Sequence, residues 1–495
     1  MTDKIRRNSS YLSKTLFIKG LQCHKALYLQ KYQPELKDEV SEAQEALFSS
    51  GREVGILAQQ LFPGGIEIPY AGFSLSKQVK LTHKEIEQGT TTIYEAAFGY
   101  NGAFCKVDIL HKGSTGWEIY EVKSSTGLKD VYDDDVAFQY YVLRRCGLPV
   151  SRVCLVHINN EYVKNGPIDV DQLFTIEDLT EIALEQESGV SEEIERQREM
   201  LQGQLPEIDI GEYCTNPYDC DFLGHCWSHI PENSVFDLRE RGVNKFELYR
   251  QGIIRMEDIT DYLLNMKQAI QVAGTVQKRD HIIQENIQDF LASLWHPLYF
   301  LDFETFMSPI PLFDGTRPYQ QIPFQYSLHY LEHEGGELNH HEFLAAPNND
   351  HRKDLIEKLI HEIPDNACVL AYNMSFERRV LEDCASFFPE YSDKIKTIID
   401  NMRDLMLPFK NKDCYLWQMN GSYSIKAVLP ALVPELSYKN MEISNGDMAM
   451  NAYKMMCETD NPEELARIRQ SLLDYCQLDT LGMVRILEKL RGFCR

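Results

Sequence analysis

The stretch YFLDFETF, residues 299–306, decides the fold of the C-terminal part of this chain. Its apolar residues suit a buried strand, and Asp302 and Glu304 lie among them. Successive side chains of a strand point to opposite faces, so these two acids point the same way. Two adjacent carboxylates repel unless a proton or a cation lies between them. The pattern predicts a divalent metal site, and the ordinary alternative is a strand end with two solvated acids.

Length and composition limit the classes of protein to consider. The chain has 495 residues, which is too long for one core and suggests roughly three domains. Its formal net charge of −25 argues against a protein that coats nucleic acid by bulk attraction, but an enzyme with local basic patches remains compatible. The thirteen scattered cysteines and the lack of a signal peptide or membrane-spanning run predict a cytoplasmic protein with reduced or metal-bound thiols.

From about residue 91 the sequence alternates as strands separated by glycine-containing turns. Three predicted strands, a helix and a further strand follow in that order, and the helix contains VAFQYYVLRRCG (136–147). Asp108 lies on the second strand, and Glu121 and Lys123 share one face of the third. Two acids from adjacent strands can hold Mg2+, and a lysine beside them can orient the attacking water or stabilise a phosphate.

This set resembles the PD-(D/E)xK nuclease superfamily, in particular the RecB-like branch with iron–sulfur clusters, over roughly residues 10–230. The resemblance implies that Asp108, Glu121 and Lys123 are catalytic and that Asp108 and Glu121 bind the metal. Gln139, with Tyr140 or Tyr141, matches the helix that follows. Many members carry a further histidine ligand in an early helix, whereas the comparable stretch here, GREVGILA (51–58), has none; Glu53 or Glu95 could substitute.

Cys214, Cys220 and Cys226 follow a C-x5-C-x5-C pattern, which in a cytosolic protein suggests soft-metal ligation. The RecB-like resemblance implies that Cys23 is a fourth ligand and that the four thiols hold a [4Fe–4S] cluster. Zinc is the alternative, with His225 as a further candidate ligand. Buried cysteines without any metal are the third interpretation.

The C-terminal part carries two further motifs. YNMSFE (372–377) reads as a turn between a strand and a helix and brings in Glu377, and a long final helix carries Tyr475 and Asp479 on one face. With Asp302 and Glu304, these motifs resemble the DEDD family of 3′–5′ exonucleases, in its tyrosine variant, over about residues 297–490.

The DEDD resemblance implies an RNase H-like fold and two-metal phosphodiester hydrolysis. Asp302, Glu304, Glu377 and Asp479 would hold two Mg2+ or Mn2+ ions, and Tyr475 would position the water. The second motif of the family usually ends in Asp, and Glu377 moves the carboxylate by about 1.5 Å.

We therefore predict an α/β multidomain protein. A restriction-endonuclease-like core (1–230) and an RNase H-like exonuclease domain (296–495) are joined by a helical linker (231–295). The leading hypothesis is a nuclease acting on DNA or RNA, single-stranded or with free ends, in repair, processing or defence against foreign DNA, with no membrane partner. The alternative is a nucleic-acid-binding or scaffold protein in which one or both sites are inactive.

Overall fold

The structure is a computed structural model, and it describes residues 11–70, 74–260, 264–347 and 349–494. Contacts within the chain divide it into two compact units. The first unit comprises Met1–His229 with Ser308–Tyr319, and the second comprises Ile230–Met307 with Gln320–Arg495. Several sheets and many helices make this a mixed α/β protein, as the sequence predicts. No helix among the described residues combines the length and the apolar character that crossing a membrane requires.

The two units differ from the predicted domains in two places. Residues 231–295, predicted as a separate linker, belong to the second unit. One reason is that Ile287 is buried in the same apolar cluster as Leu298 and Phe300. Residues 308–319, predicted as part of the exonuclease domain, belong instead to the first unit.

A seven-stranded sheet forms the centre of the first unit. Its strands are β1 (Leu12–Ser13), β2 (Ile66–Glu67), β3 (Thr92–Tyr100), β4 (Ala103–Lys112), β5 (Trp117–Lys123), β6 (Val150–Ile158) and β7 (Phe174–Asp178). Strands β2 to β7 lie side by side in chain order, and β1 pairs with β4. Strands β3, β4 and β5 are antiparallel, whereas β5 and β6 are parallel. A parallel pair needs a crossover, which the predicted helix between them supplies.

The helices of the first unit are α1 (Lys14–Gln22), α2 (His24–Tyr32), α3 (Glu42–Ala58), α4 (Leu75–Glu87), α5 (Asp130–Arg145), α6 (Val170–Leu173), α7 (Thr180–Gln202) and α8 (Leu223–Cys226). The Ser13 hydroxyl accepts a hydrogen bond of 3.3 Å from the Leu16 N–H, so Ser13 caps the N-terminus of α1. The crossover helix α5 packs against α7 and the sheet, and most of its length is buried.

Residues 308–319, the inserted segment, form a loop whose ends meet: the Tyr319 N–H donates to the Ser308 carbonyl at 2.8 Å. The Lys164 N–H donates to the Thr316 carbonyl at 3.0 Å. The Tyr319 hydroxyl donates to the carbonyl of Ser124, the residue after the predicted catalytic lysine. These bonds hold the inserted segment against the end of β5.

A five-stranded sheet forms the centre of the second unit, and a two-stranded sheet lies apart from it. The strands are β8 (His281–Ile282), β9 (Leu298–Phe306), β10 (Ile322–Leu331), β11 (Asn339–Leu344), β12 (Cys368–Ala371), β13 (Met402–Asp404) and β14 (Cys414–Tyr415). The order is β11-β10-β9-β12-β13, and β8 pairs with β14. Strand β9, which carries YFLDFETF, is therefore central, antiparallel to β10 and parallel to β12.

The helices of the second unit are α9 (Lys245–Arg250), α10 (Met266–Gln277), α11 (Gln284–Ala292), α12 (Arg352–Glu362), α13 (Ser375–Phe387), α14 (Ser392–Asp400), α15 (Leu407–Lys410), α16 (Ile425–Leu432), α17 (Gly446–Glu458) and α18 (Pro462–Phe493). The long helix α18 packs across β9 and β10, as one wall of the largest apolar cluster. This packing brings the last predicted motif to the first.

Candidate functional site

The candidate site of the second unit begins on β9. Asp302 lies opposite Ser327 of β10, and Glu304 lies opposite Gln325 two residues away on the same face. Ligand atoms of Asp302, Glu304 and Cys476 lie within 4.8 Å of one another. The Cys476 thiol, on α18, donates to Asp302 Oδ2 at 3.5 Å. Two carboxylates thus share one confined space, as the strand period predicts.

Glu377 enters this space from the first turn of α13. The preceding turn is tight because Asn373 has a φ of 69° and its N–H donates to Asp404 Oδ1 at 3.0 Å. Glu377 is only 2% exposed, and its buried Oε2 atom has no hydrogen-bond partner. Burial, followed by the charge of Asp302, raises the pKa of Glu377 well above its usual value. A buried carboxylate oxygen without a hydrogen-bond partner is unfavourable, and a bound divalent cation would satisfy it.

Asp479 and Tyr475 approach from α18, one turn apart and both buried. The Tyr438 hydroxyl donates to Asp479 Oδ1 at 2.6 Å. Burial raises the pKa of Asp479 to about 6, although Tyr438 and Lys426 oppose the shift. The rings of Tyr438 and Tyr475 meet edge to face, with centroids 6.2 Å apart.

These groups act on one another electrostatically. Burial and then the charge of Asp479 raise the pKa of Asp302, and burial followed by Asp302 and Asp479 raises the pKa of Glu304. Glu377 contributes to the shift of Glu304 as well. The four predicted acids therefore lie near enough to shift one another's pKa values, although the group whose ligand atoms lie within 4.8 Å of one another contains only Asp302 and Glu304 of the four. Such a set of oxygen donors suits hard divalent cations.

Three residues of this site were missed by sequence reasoning, namely Cys476, Tyr438 and Lys426. Cys476 is adjacent to Tyr475 in a helix read only for its Y-x-x-x-D pattern. Lys426 lies in GSYSIKAVLPAL, which predicts a loop and helix but carries no recognisable motif. The local sequence gives no signal that either Tyr438 or Lys426 faces an acid.

The candidate site of the first unit lies where β4, β5 and α5 meet. Lys123 Nζ lies 2.9 Å from Glu121 Oε1 and 2.5 Å from Asp135 Oδ2. Gln139 Nε2 donates to Glu121 Oε2 at 2.7 Å, while its buried Oε1 atom has no partner. Asp108 Oδ2 accepts from the Val122 N–H at 2.7 Å. The structure brings the predicted acids, lysine and glutamine into one constellation.

Lys14, at the start of α1, adds a second ammonium by pairing with Glu121. Although burial alone would raise the pKa of Glu121, the charges of Lys123 and Lys14 hold it below its usual value. Burial and then Glu121 raise the pKa of Asp108 to about 7. Burial alone would lower the pKa of Lys123, but the charges of Glu121 and Asp135 keep this pKa well above its usual value.

Of the two candidate substitutes for the missing histidine, Glu95 lies beside Asp108. The pairing of β3 with β4 skips these two residues, and Glu95 adopts a φ of 54°, which is strained for a side chain of this kind. Its carboxylate pairs with Lys106 at 2.7 Å. Glu53 is exposed on α3.

Tyr140 and Tyr141 follow Gln139 on α5, the helix that the resemblance matches. Both rings are buried in the apolar core of the first unit. The Tyr140 hydroxyl accepts from Arg144 at 3.1 Å, and the Tyr141 hydroxyl accepts from Ser191 at 3.4 Å. These contacts give the two tyrosines a packing role.

The four predicted cysteine ligands line one small cavity. Cys23 lies between α1 and α2, and Cys214, Cys220 and Cys226 come from the segment before and within α8. The other lining residues include Ala26, Ile208, Tyr213, Phe222 and Leu223. The structure thus joins the two ends of the first unit at these thiols.

The spacing of the sulfur atoms bears on what the cavity can hold. Within the described chain, no three of these four sulfur atoms lie within 4.8 Å of one another. Four thiolates bound to a single zinc ion at about 2.3 Å would lie about 4 Å apart. His225 is exposed and does not line the cavity. The four sulfur atoms are spaced more widely than one zinc ion requires, and among the described residues Asp209 is the one carboxylate residue that lines the cavity with them.

Comparison with known proteins relates the second unit to a family defined by sequence. Residues 299–424 match a family model described as a domain of unknown function (DUF2779), and this match contains Asp302, Glu304 and Glu377. "Uncharacterized protein MG366" of Mycoplasma genitalium is 29% identical over 207 residues, which are 38% of this chain and 31% of that protein. "Uncharacterized protein MG366 homolog" of Mycoplasma pneumoniae is 28% identical over 225 residues, 41% of this chain and 34% of that protein. The matches span about a third of these relatives.

Proposed function

We propose that this chain is a metal-dependent nuclease with two hydrolytic sites, acting on DNA, with RNA as the alternative substrate. The first unit would be a RecB-like PD-(D/E)xK nuclease and the second a DEDD-type 3′–5′ exonuclease with an RNase H-like fold. The observation that carries the proposal is the convergence of Asp302, Glu304, Glu377 and Asp479 from three separate motifs. The unpartnered Glu377 Oε2 supports a cation-binding role for this set.

In the second unit, the four carboxylates would hold two Mg2+ or Mn2+ ions, which supply an activated water and stabilise the leaving oxygen. Water adds to phosphorus and releases a proton to solvent. The bond from phosphorus to the 3′-oxygen of the preceding nucleotide breaks, and that oxygen takes up a proton. The products are a nucleoside 5′-monophosphate and a strand shortened by one nucleotide.

Tyr475 would orient the attacking water in this site. Burial, and then the charge of Asp479, raise the pKa of Tyr475 far above its usual value, so the phenol stays protonated. A protonated phenol can hold the water by a hydrogen bond but cannot take its proton. Tyr438 would keep Asp479 in its ligand orientation through the 2.6 Å hydrogen bond.

In the first unit, Asp108 and Glu121 would hold one divalent cation, which supplies a nucleophilic water. Lys123 stays protonated because Glu121 and Asp135 raise its pKa, so it would stabilise negative charge on the phosphate. Gln139 fixes one oxygen of Glu121 and leaves its own Oε1 free. Glu95 is the nearest candidate for a further carboxylate ligand.

Cys23, Cys214, Cys220 and Cys226 would hold a [4Fe–4S] cluster that fastens the two ends of the first unit. The four cysteines that line the cavity and the wide spacing of their sulfur atoms support this assignment over Zn2+. A chain with thirteen cysteines and no disulfide among its described residues also suits the reducing cytoplasm, where we propose that it acts in repair, processing or defence against foreign DNA.

The test of the nuclease proposal is hydrolysis of end-labelled single- and double-stranded DNA and RNA with Mg2+ or Mn2+. Lys123→Ala should remove the products of the first unit's site, and Asp302→Ala should remove those of the second unit's site. The double variant should remove both. Asp289→Asn, which changes an exposed acid on α11, is the matched control and should retain both. If the wild-type protein leaves every substrate intact, the proposal is wrong.

One observation favours the alternative of a binding or scaffold protein. Lys14 and Lys123 both pair with Glu121 and so compete with a cation for that carboxylate. The first site would then hold nucleic acid without cutting it. Mn2+ titration separates the alternatives: nucleic-acid binding without Mn2+ binding at either site supports the scaffold.

A further inference from the structure

Lys426 lies in the first turn of α16, beside the carboxylate site of the second unit. Its ammonium is 5.6 Å from the centroid of the Tyr475 ring and 5.9 Å from that of Tyr438. Its charge counteracts the raised pKa values of Asp302, Glu304 and Asp479, so it faces all three acids. An exposed ammonium therefore lies beside three acids of this site.

The Lys426 ammonium keeps its hydrogen-bond donors available for a ligand. Among the described residues, no carboxylate oxygen lies within 4.0 Å of Lys426 Nζ, and its residue is exposed. A lysine in the first turn of a helix also meets the unfavourable positive end of the helix dipole. The two tyrosine faces hold the side chain in place by cation–π attraction, which leaves its donors available.

We propose that Lys426 binds a non-bridging oxygen of the phosphodiester that is hydrolysed in the second unit. This assignment rests on the proposed function and names a further residue that contacts the substrate. Carboxylates alone repel a phosphodiester, and an ammonium on the open side of the site offsets that repulsion. Negative charge grows on the phosphoryl oxygens as the water adds, so the contact strengthens along the reaction. Lys426 transfers no proton in this step.

The substrate contact is independent of base identity. Removing a phosphate contact weakens binding uniformly across sequences. It also lowers the salt dependence of binding. The competing role for Lys426 is that of a counter-ion for the acids. Removing a counter-ion leaves the salt dependence of substrate binding unchanged, whereas removing a phosphate ligand lowers that dependence. Either role predicts equal or tighter Mn2+ binding after removal of the ammonium, since a repelling charge is lost.

The experiment uses the full chain with Lys123→Ala, so that only the second site is measured. Lys426→Ala and Lys426→Arg are compared with Lys489→Ala, an exposed lysine on α18. The readouts are kcat/KM on 3′-labelled oligothymidylate with Mn2+ and the salt dependence of oligothymidylate binding with Ca2+. We expect Lys426→Ala to lower kcat/KM roughly 100-fold, with partial recovery in Lys426→Arg. The slope of log Kd against log salt should fall by about 0.7.

Three outcomes decide the matter. If Lys426→Ala matches Lys489→Ala in both readouts, the proposed contact does not exist. If Lys426→Ala abolishes Mn2+ binding, its role is structural and the inference is overturned. If the Lys123→Ala parent does not cut but its binding slope still falls with Lys426→Ala, the phosphate contact stands while the proposed hydrolysis fails.

Discussion

The hydroxyl of Tyr438 donates a 2.6 Å hydrogen bond to Oδ1 of Asp479, and both groups are buried. Tyr438 belongs to none of the sequence motifs, yet together with Tyr475 it orients Asp479, the last acid of the site. The bond leaves one oxygen of Asp479 for other partners. A hydrogen bond to a carboxylate is stronger than one between neutral groups.

Tyr438→Phe should weaken Mn2+ binding by about 10-fold, because groups that orient metal ligands contribute that much or more. Isothermal titration with Mn2+ measures the change. Tyr299→Phe is the control, since it removes a hydroxyl from a buried tyrosine at the other end of β9. Equal affinities in the two variants would contradict the role of Tyr438.

The metal-free protein should lose stability as pH rises. Asp479 has a pKa of about 6, and the pKa values of Asp302, Glu304 and Glu377 are raised well above their usual range, so these acids hold protons in the folded state that the unfolded chain releases near pH 4. Raised pKa values stabilise the fold below the unfolded pKa, and this stabilisation disappears as pH rises through the folded pKa. In EDTA, we expect the melting temperature of the second unit to fall by roughly 5 °C between pH 5 and pH 8.

Mn2+ at pH 8 should reverse this loss, since it binds only the folded carboxylates. Asp302→Asn should flatten the pH dependence in EDTA, whereas Asp289→Asn should leave it unchanged. A melting temperature that rises with pH in EDTA would contradict the assignment of buried, mutually repelling acids.

Purified under anaerobic conditions, the protein should be brown and contain about four iron and four sulfide per chain. Cys220→Ser should remove most of this content, because it replaces one thiol of the cavity. Cys494 lies in the second unit, so Cys494→Ser should leave the iron and sulfide content unchanged. A colourless protein with stoichiometric zinc would reject the cluster.

Tyr319→Phe should loosen the end of β5 in the first unit. The variant loses the hydrogen bond to the Ser124 carbonyl, worth about 1 kcal/mol. Hydrogen exchange at the Ile158 N–H, which donates to the Ser125 carbonyl at 2.9 Å, should speed up by about 5-fold. Leu312→Ala changes a residue that is 58% exposed in the same segment, and exchange in that variant should match the wild type. Unchanged exchange in Tyr319→Phe would contradict the role of this bond.

Local periodicity made the strands and helices predictable. The alternation in YFLDFETF gave the central strand β9, and the four-residue spacing of Tyr475 and Asp479 placed both on one face of α18. The side chains around the acids could not be predicted in the same way. Lys14 lies far along the chain from Glu121, and Tyr438 far from Asp479, so only tertiary packing brings each pair together.

The inserted segment shows the same limit at the level of domains. SPIPLFDGTRPY (308–319) reads as a loop because of its prolines and glycine, and nothing in its pattern tells which core it joins. Its membership of the first unit follows from contacts with residues far earlier in the chain, such as Lys164 and Ser124.

The inserted segment also limits when the first unit can finish folding during synthesis on the ribosome. The chain is made from its N-terminus, and the first unit needs residues up to Tyr319. Strand β9, with Asp302 and Glu304, is therefore translated before the first unit is complete. A nascent chain or a proteolytic fragment that ends near residue 230 carries every predicted catalytic residue of the first unit but lacks the segment that closes the end of β5.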